Sequence, residues 1–301
     1  MAMRIPRRSL LTFAALAPVL ARASAAADPI SVSMERIRPL FWPKIAARPG
    51  DWLTSHHEPG QTYAQFRDLT AIPAVQSFDT IRILPIGPLS KGQLQVLDVV
   101  QDFLGPFFGL RLTIEPTFPL TDIPATAQRV FAPASPRQLL TSYLLNEVLK
   151  NFRQPEDAAV LGITALDLWP GAGWNFVFGQ ASLADRVGVW SMARNGDADG
   201  RPAMRKLCAL RTAMTATHET GHMFGIRHCI AYECGMNGSN NAAERDRQPL
   251  EFCPECQAKL WWTCGLDALK RCESLATVAQ RHGYDALARN FLKQAGAMQG
   301  K

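Results

Sequence analysis

Three of the six histidines of this 301-residue chain fall within eleven residues. They stand in the run His218-Glu219-Thr220-Gly221-His222-Met223-Phe224-Gly225-Ile226-Arg227-His228. On an α-helix, positions four apart lie about 40° apart around the axis and one turn along it, so the imidazoles of His218 and His222 face one point. A ligand six residues further on would project to the wrong side of a continuous helix. Gly225 removes that conflict, because glycine takes a positive φ, ends the helix and lets His228 swing back. Three neutral imidazoles hold a zinc ion and leave its fourth position open to water, whose pKa falls toward roughly 7. Glu219 stands beside the first ligand, where it can take the water's proton and pass it to a leaving amine. The chemistry this spacing serves is metal-assisted hydrolysis of an amide. His56, His57 and His282 have no such company and read as surface or structural residues.

The seven cysteines all lie beyond residue 200. Cys229 follows the third histidine directly, Cys234 comes five residues later, and Cys253-Pro254-Glu255-Cys256 forms a Cys-x-x-Cys knuckle. Two pairs separated by a loop suit a tetrahedral four-thiolate zinc, a closed site whose role is structural. Such binding contributes on the order of 10 kcal/mol, enough to order a polar loop such as Gly238–Phe252. Two disulfides are the alternative for an exported chain. Cys264 and Cys272 could pair with each other, and Cys208 reads as a buried small hydrophobe.

The elements that must position these residues show in the apolar periodicity. A short helix is expected near Tyr63–Leu69, inside an otherwise irregular stretch from Ser31 to about Gln76. Strands are expected over Asp79–Pro85, Leu110–Glu115, Ala158–Asp167, Asn175–Gln180 and Arg186–Ala193. Helical spacing covers Gln93–Leu104 and about Pro136–Phe152, with Ser135 as N-cap and Pro136 at the first position. Ala203–Phe224 is a long helix carrying the histidines, and two helices follow at about Gln257–Arg271 and Leu275–Lys293. Early alternation of strands and helices, then a helical last third, predicts an α+β fold with a mixed sheet flanked by helices.

The first 27 residues read as a signal peptide. Arg4, Arg7 and Arg8 precede an apolar run from Leu10 to Leu20, and small residues around Ala21-Arg22-Ala23 to Ala25-Ala26-Ala27 suit cleavage. That run is far shorter than the roughly 20 residues a membrane span requires. Arg7-Arg8 also fits a twin-arginine signal, which would carry the folded, metal-loaded protein. The expected location is therefore periplasmic or secreted, without stable membrane insertion after signal removal. The formal charge of +6 owes four of its arginines to this segment, so the mature surface has no basic footprint and nucleic acid is not an expected partner. A charged fraction of 19% beside 47% hydrophobic residues argues for one folded domain over 28–301 and against long disorder.

The combined pattern resembles the archaemetzincins, a metzincin-clan family of metallopeptidases. The resemblance rests on His218-Glu219-x-x-His222-x-x-Gly225-x-x-His228-Cys229, on Cys234-x-Met236, and on Cys253-x-x-Cys256-x-x-Lys259. Upstream, Pro49–Leu53, Gly60-Gln61-Thr62, Ile83–Gly87 and Asn175–Ala181 are similar as well. It implies a zincin/metzincin-like twisted mixed sheet with an active-site helix, in an upper part (28–225) and a zinc-stapled C-terminal subdomain (226–301). It implies two zinc ions per chain: a catalytic one on His218, His222 and His228 with Glu219 as base and acid, and a structural one on Cys229, Cys234, Cys253 and Cys256. Met236 would form the floor beneath the catalytic metal, and Val187–Arg194 the edge strand along which a peptide substrate lies. The chain is expected to act as a monomer on peptides or proteins. The competing readings are a catalytically quiet zinc scaffold that binds peptides or a partner protein, and a hydrolase of non-peptide amides.

Overall fold

The most apolar strands lie at the centre of the sheet, as continuous apolar runs do when both faces are covered. The computed structural model describes residues 28–69, 78–130 and 136–301. The expected signal segment and Ser135 lie outside the described residues. Pro29–Ile37 (α1) opens the described chain, with Asp28 accepting a hydrogen bond from the Ile30 amide and Pro29 at the first helical position. Helix α1 covers the start of the stretch expected to be irregular, and Tyr63–Leu69 (α2) forms as expected. The main sheet has the order β2-β1-β5-β8-β7. Its strands are β1 (Thr80–Ile86), β2 (Arg111–Ile114), β5 (Asp157–Thr164), β7 (Gly179–Ser182) and β8 (Val187–Ser191). All neighbours run parallel except β7, which is antiparallel to β8. A smaller sheet joins β3 (Gln128–Val130), β4 (Arg137–Leu140) and β6 (Asp167–Trp169).

Further expectations change in and around the sheet. Val187–Ser191 is an interior strand, buried along its whole length, and the sheet's edge is Gly179–Ser182. The stretch expected as one helix from Pro136 begins as strand β4, since Gln138, Leu139 and Leu140 pair with β6. Helix follows only over Thr141–Tyr143 (α4), the π-helical Leu144–Leu149 and Lys150–Phe152 (α5).

Helix α3 (Lys91–Phe108) starts at a capping box, in which Ser90 and Gln93 each bond the other's amide. It packs with α6 (Pro202–Met223) on one face of the main sheet, against Ile81, Ile83, Leu161 and Trp190. The π-helical Leu144–Leu149 covers the other face, against Leu84, Ile86, Val160, Val187 and Val189. Beyond α7 (Ala242–Arg245) come three helices where two were expected: α8 (Pro254–Cys264), α9 (Ala268–Arg281) and α10 (Asp285–Gln299). They share a core with the N-terminal helices, through Met34, Ile37 and Tyr63 against Trp261, Ala295 and Met298.

The one charge on β1 is satisfied inside the sheet edge. Arg82 makes a forked contact with Asp157 on β5, at 2.8 and 3.1 Å, and also reaches Glu115. Asp157 is fully buried. Asp157→Ala removes the buried end of this fork and the acceptor of the Gln154 amide (2.7 Å), while Glu115 stays beside Arg82, so it is expected to destabilise the fold by about 2 kcal/mol. Urea unfolding of the two proteins measures this, and a change below about 0.5 kcal/mol would contradict it.

Candidate metal centres and cleft

Helix α6 is poor in aliphatic residues yet runs through the interior. Its threonines make this possible by turning their hydroxyls onto carbonyls one turn back: Thr212 to Cys208, Thr217 to Ala213 and Thr220 to Ala216, at 2.7–3.0 Å. The helix ends where the sequence predicts. Gly225 has φ +81°, its amide bonds the carbonyl of His222 at 2.8 Å, and the Ile226 amide bonds that of Gly221 at 3.1 Å. This pair of bonds is a Schellman motif, which reverses the chain and returns His228 to the helix face.

One ring nitrogen from each of His218, His222 and His228 lies within 4.8 Å of the others. The remaining nitrogens are committed elsewhere. His218 Nδ1 lies 2.8 Å from the Gly235 carbonyl, His222 Nδ1 2.8 Å from the Ile226 carbonyl, and His228 Nδ1 2.8 Å from Glu58 Oε1. A carbonyl only accepts, so each of the first two Nδ1 atoms carries the proton and each Nε2 presents a lone pair. Those two Nε2 atoms are 3.0 Å apart. Two facing lone pairs at that distance call for a cation between them, and the edge of a zinc–imidazole tetrahedron is about 3.3 Å. Burial and the neighbouring imidazoles hold His218 well below the usual histidine range, and burial brings His222 down to about 4, so both are neutral at pH 7. The donor set fits a zinc ion.

Glu219 sits on the same helix at the wall of the cleft. Burial pushes its carboxyl up to about 8, a bias that a cation on the neighbouring histidines would reverse. The backbone of edge strand β7 passes close by. A Cβ added at Gly179 would fall 2.9 Å from Glu219 Cγ and 3.0 Å from its Oε1, so only glycine allows this approach.

The four thiols of Cys229, Cys234, Cys253 and Cys256 form a second cluster, buried, with all sulfurs within 4.8 Å. Cys229 Sγ and Cys253 Sγ are 3.6 Å apart. That is far beyond a disulfide's 2.05 Å or so, and close to the roughly 3.8 Å edge of a zinc–thiolate tetrahedron. Cys234 Sγ accepts from the amides of Met236 (3.4 Å) and Cys253 (3.2 Å), as a thiolate would. Burial and the adjoining thiols raise Cys234 and Cys253 well above the usual thiol range, so several thiolates coexist here only with a bound cation. Cys208, Cys264 and Cys272 are buried free thiols, so Cys264 and Cys272 are not paired.

One loop links the clusters. Between Cys229 and Cys234 the chain is tied by Asn237, whose amide bonds the carbonyls of Cys229 (2.7 Å) and Tyr232 (2.9 Å) and whose Oδ1 accepts from the Cys234 amide. This places the Gly235 carbonyl on His218 and buries the Met236 thioether against Gly221 of α6, the residue before His222. A cleft of about 490 Å³ opens over the histidines. Its lining includes Trp174, Phe176 and Phe178 together with Met214, Thr215 and Glu219.

A family model described as peptidase family M54 matches residues 127–261, which hold β7, α6 and both clusters. Archaemetzincin-2 of Pongo abelii is 34% identical over 273 residues, covering 78% of this chain and 74% of the relative. The human archaemetzincin-2 is likewise 34% identical, over 271 residues with the same coverage. The chain belongs to the archaemetzincin family. It is a metallopeptidase. The shorter archaemetzincin of Thermococcus kodakarensis is 38% identical over 125 residues, 41% of this chain and 67% of the relative. The crystal structure of archaemetzincin from Methanopyrus kandleri overlays 63% of this chain and 97% of its own, with a TM-score of 0.49 and 26% identity.

In this archaemetzincin the seven predicted histidine and cysteine positions gather into the two clusters, and Glu219 lines the cleft with the histidines. Sequence reasoning missed Glu58. It bonds both His228 Nδ1 and, at 2.9 Å, Trp52 Nε1, and the histidine and indole donors hold its carboxyl below the usual range against the opposing effect of burial. A carboxylate behind a ligating imidazole fixes its tautomer and raises its basicity. Glu58→Ala is therefore expected to weaken zinc binding at the histidine site about 10- to 100-fold. Chelator competition reads this directly, and unchanged affinity would show that the contact does not support the metal.

Proposed function

We propose that this chain is a zinc-dependent peptidase that cleaves an extended peptide laid along β7 in the cleft. His218, His222 and His228 hold the catalytic zinc, and Cys229, Cys234, Cys253 and Cys256 hold a second, structural zinc, giving two per chain. Bound at the histidines, zinc supplies Lewis-acid polarisation of the scissile carbonyl and acidifies water. Glu219 takes the proton from the attacking water and delivers it to the leaving amine. The Gly235 and Ile226 carbonyls and Glu58 hold the three imidazoles in register, and Met236 closes the space beneath them. Strand β7, with β8 on one side and no strand on the other among the described residues, offers backbone groups to a substrate strand. This is the role first expected of Val187–Arg194, which lies inside the sheet. The pair of facing Nε2 lone pairs beside a carboxylate in an open cleft carries the reading. Export through the N-terminal segment is part of the same proposal, and it rests on the residue pattern of that segment alone. No helix of the described residues is long and apolar enough to cross a membrane.

Profiling a mixed peptide library with the zinc-loaded protein tests it. Cleavage that stops on chelation and returns with zinc is expected; peptide binding without turnover would favour the quiet scaffold instead.

A further inference from the structure

Arg245, at the end of α7, lies on the cleft wall and is only 5% exposed. Its Nη1 donates to Thr215 Oγ1 at 2.7 Å and its Nη2 to Asn195 Oδ1 at 2.6 Å, both neutral acceptors. Its guanidinium carbon stands 4.2 Å from the Phe178 ring centre. Nε, buried, has no hydrogen-bond partner. The adjoining acid, Asp246, is engaged in a forked contact with Arg211, at 2.8 and 2.5 Å. Burial lowers Arg245 only to about 10, so it is a cation at neutral pH. Buried charges in proteins are paired, and an unpaired one beside a binding cleft is a place for a ligand of opposite charge. Thr215 lies four residues before Glu219 on α6, about 6 Å along the axis, which sets the guanidinium close to the reacting bond.

We propose that Arg245 forms a carboxylate-binding subsite of the cleft, selecting substrates with a carboxylate next to the cleaved bond. The planar guanidinium, already fixed by Thr215, Asn195 and Phe178, meets a carboxylate as a fork through Nε and an Nη. The carboxylate is supplied either by an acidic side chain or by the substrate's C-terminus. This inference rests on the peptidase reading above.

Two peptide pairs distinguish the sources: an internal glutamate against glutamine, and a free C-terminal acid against its amide. Turnover by the zinc-loaded protein is compared with binding of the same peptides to zinc-loaded Glu219→Gln, read by fluorescence anisotropy. At least a tenfold preference for the carboxylate is expected in one pair, falling below about threefold in Arg245→Met. Where Arg245→Met does not fold, Arg245→Lys decides. Lysine keeps the charge and loses the fork, so the preference should drop at least threefold without vanishing. A wild-type ratio near one in both pairs, or a ratio unchanged in the variants, overturns the subsite. Turnover without preference sinks the subsite and spares the peptidase; an Arg245-dependent binding preference without turnover does the opposite.

Discussion

Glu219→Gln is expected to lower kcat/KM for peptide cleavage about a thousandfold while both zinc ions stay bound. The carboxylate lines the cleft one residue after His218, and β7 confines it from the far side, so it has little freedom to point elsewhere. Glutamine keeps its shape and removes its ability to accept and return a proton. General acid–base catalysis is worth about 10²- to 10⁴-fold, and in the proposed mechanism one group serves both steps. None of the hydrogen bonds that orient the three imidazoles involves Glu219, so metal content should not change. The measurement is steady-state kinetics on a cleaved peptide alongside metal analysis of the same sample. A loss of less than about tenfold with zinc in place would move the proton-transfer role to another group.

Cys253→Ser is expected to affect the whole molecule. It should remove the second zinc, which contributes on the order of 10 kcal/mol, against a total stability of about 5–15 kcal/mol for a domain. The cluster is woven into the catalytic loop: the Cys229 amide bonds the Met236 carbonyl at 2.8 Å, and Met236 and Cys253 amides bond Cys234 Sγ. Losing it frees Gly235 and therefore the orientation of His218. The expected result is a protein that fails to fold, or one that melts more than 10 °C lower and has lost activity. Thermal unfolding with metal analysis reads both effects, and a variant with unchanged melting and two zinc ions would refute the structural role.

The chemistry of this chain is legible because it is local. His218 and His222 declare one helix face, Gly225 declares where that face ends, and the Cys-x-x-Cys pair marks its own cluster. What was not legible depends on distant partners. Glu58 lies 170 residues before His228, and no spacing links a carboxylate to an imidazole at that remove. Nothing in the sequence around Arg245 marks it; only the fold brings Thr215, Asn195 and Phe178 around it. Pro136 looks like a helix start, yet the backbone after it is taken up by pairing with Asp167–Trp169, a tertiary contact that overrides local preference. The edge-strand assignment had a local warning: Val187-Gly188-Val189-Trp190 is uniformly apolar, the mark of a strand covered on both faces, whereas Gly179-Gln180-Ala181-Ser182 has the greater polarity of an edge.

The central claim is that three imidazoles share one zinc and leave it accessible, while four thiolates close around another. Anomalous diffraction at the zinc absorption edge, on crystals of the purified protein, measures this most directly. Two peaks are predicted, one about 2.1 Å from a nitrogen of each of His218, His222 and His228 and open to the cleft, the other about 2.3 Å from four sulfurs. A fourth protein ligand on the first ion, or no metal among the histidines of an active sample, would contradict it.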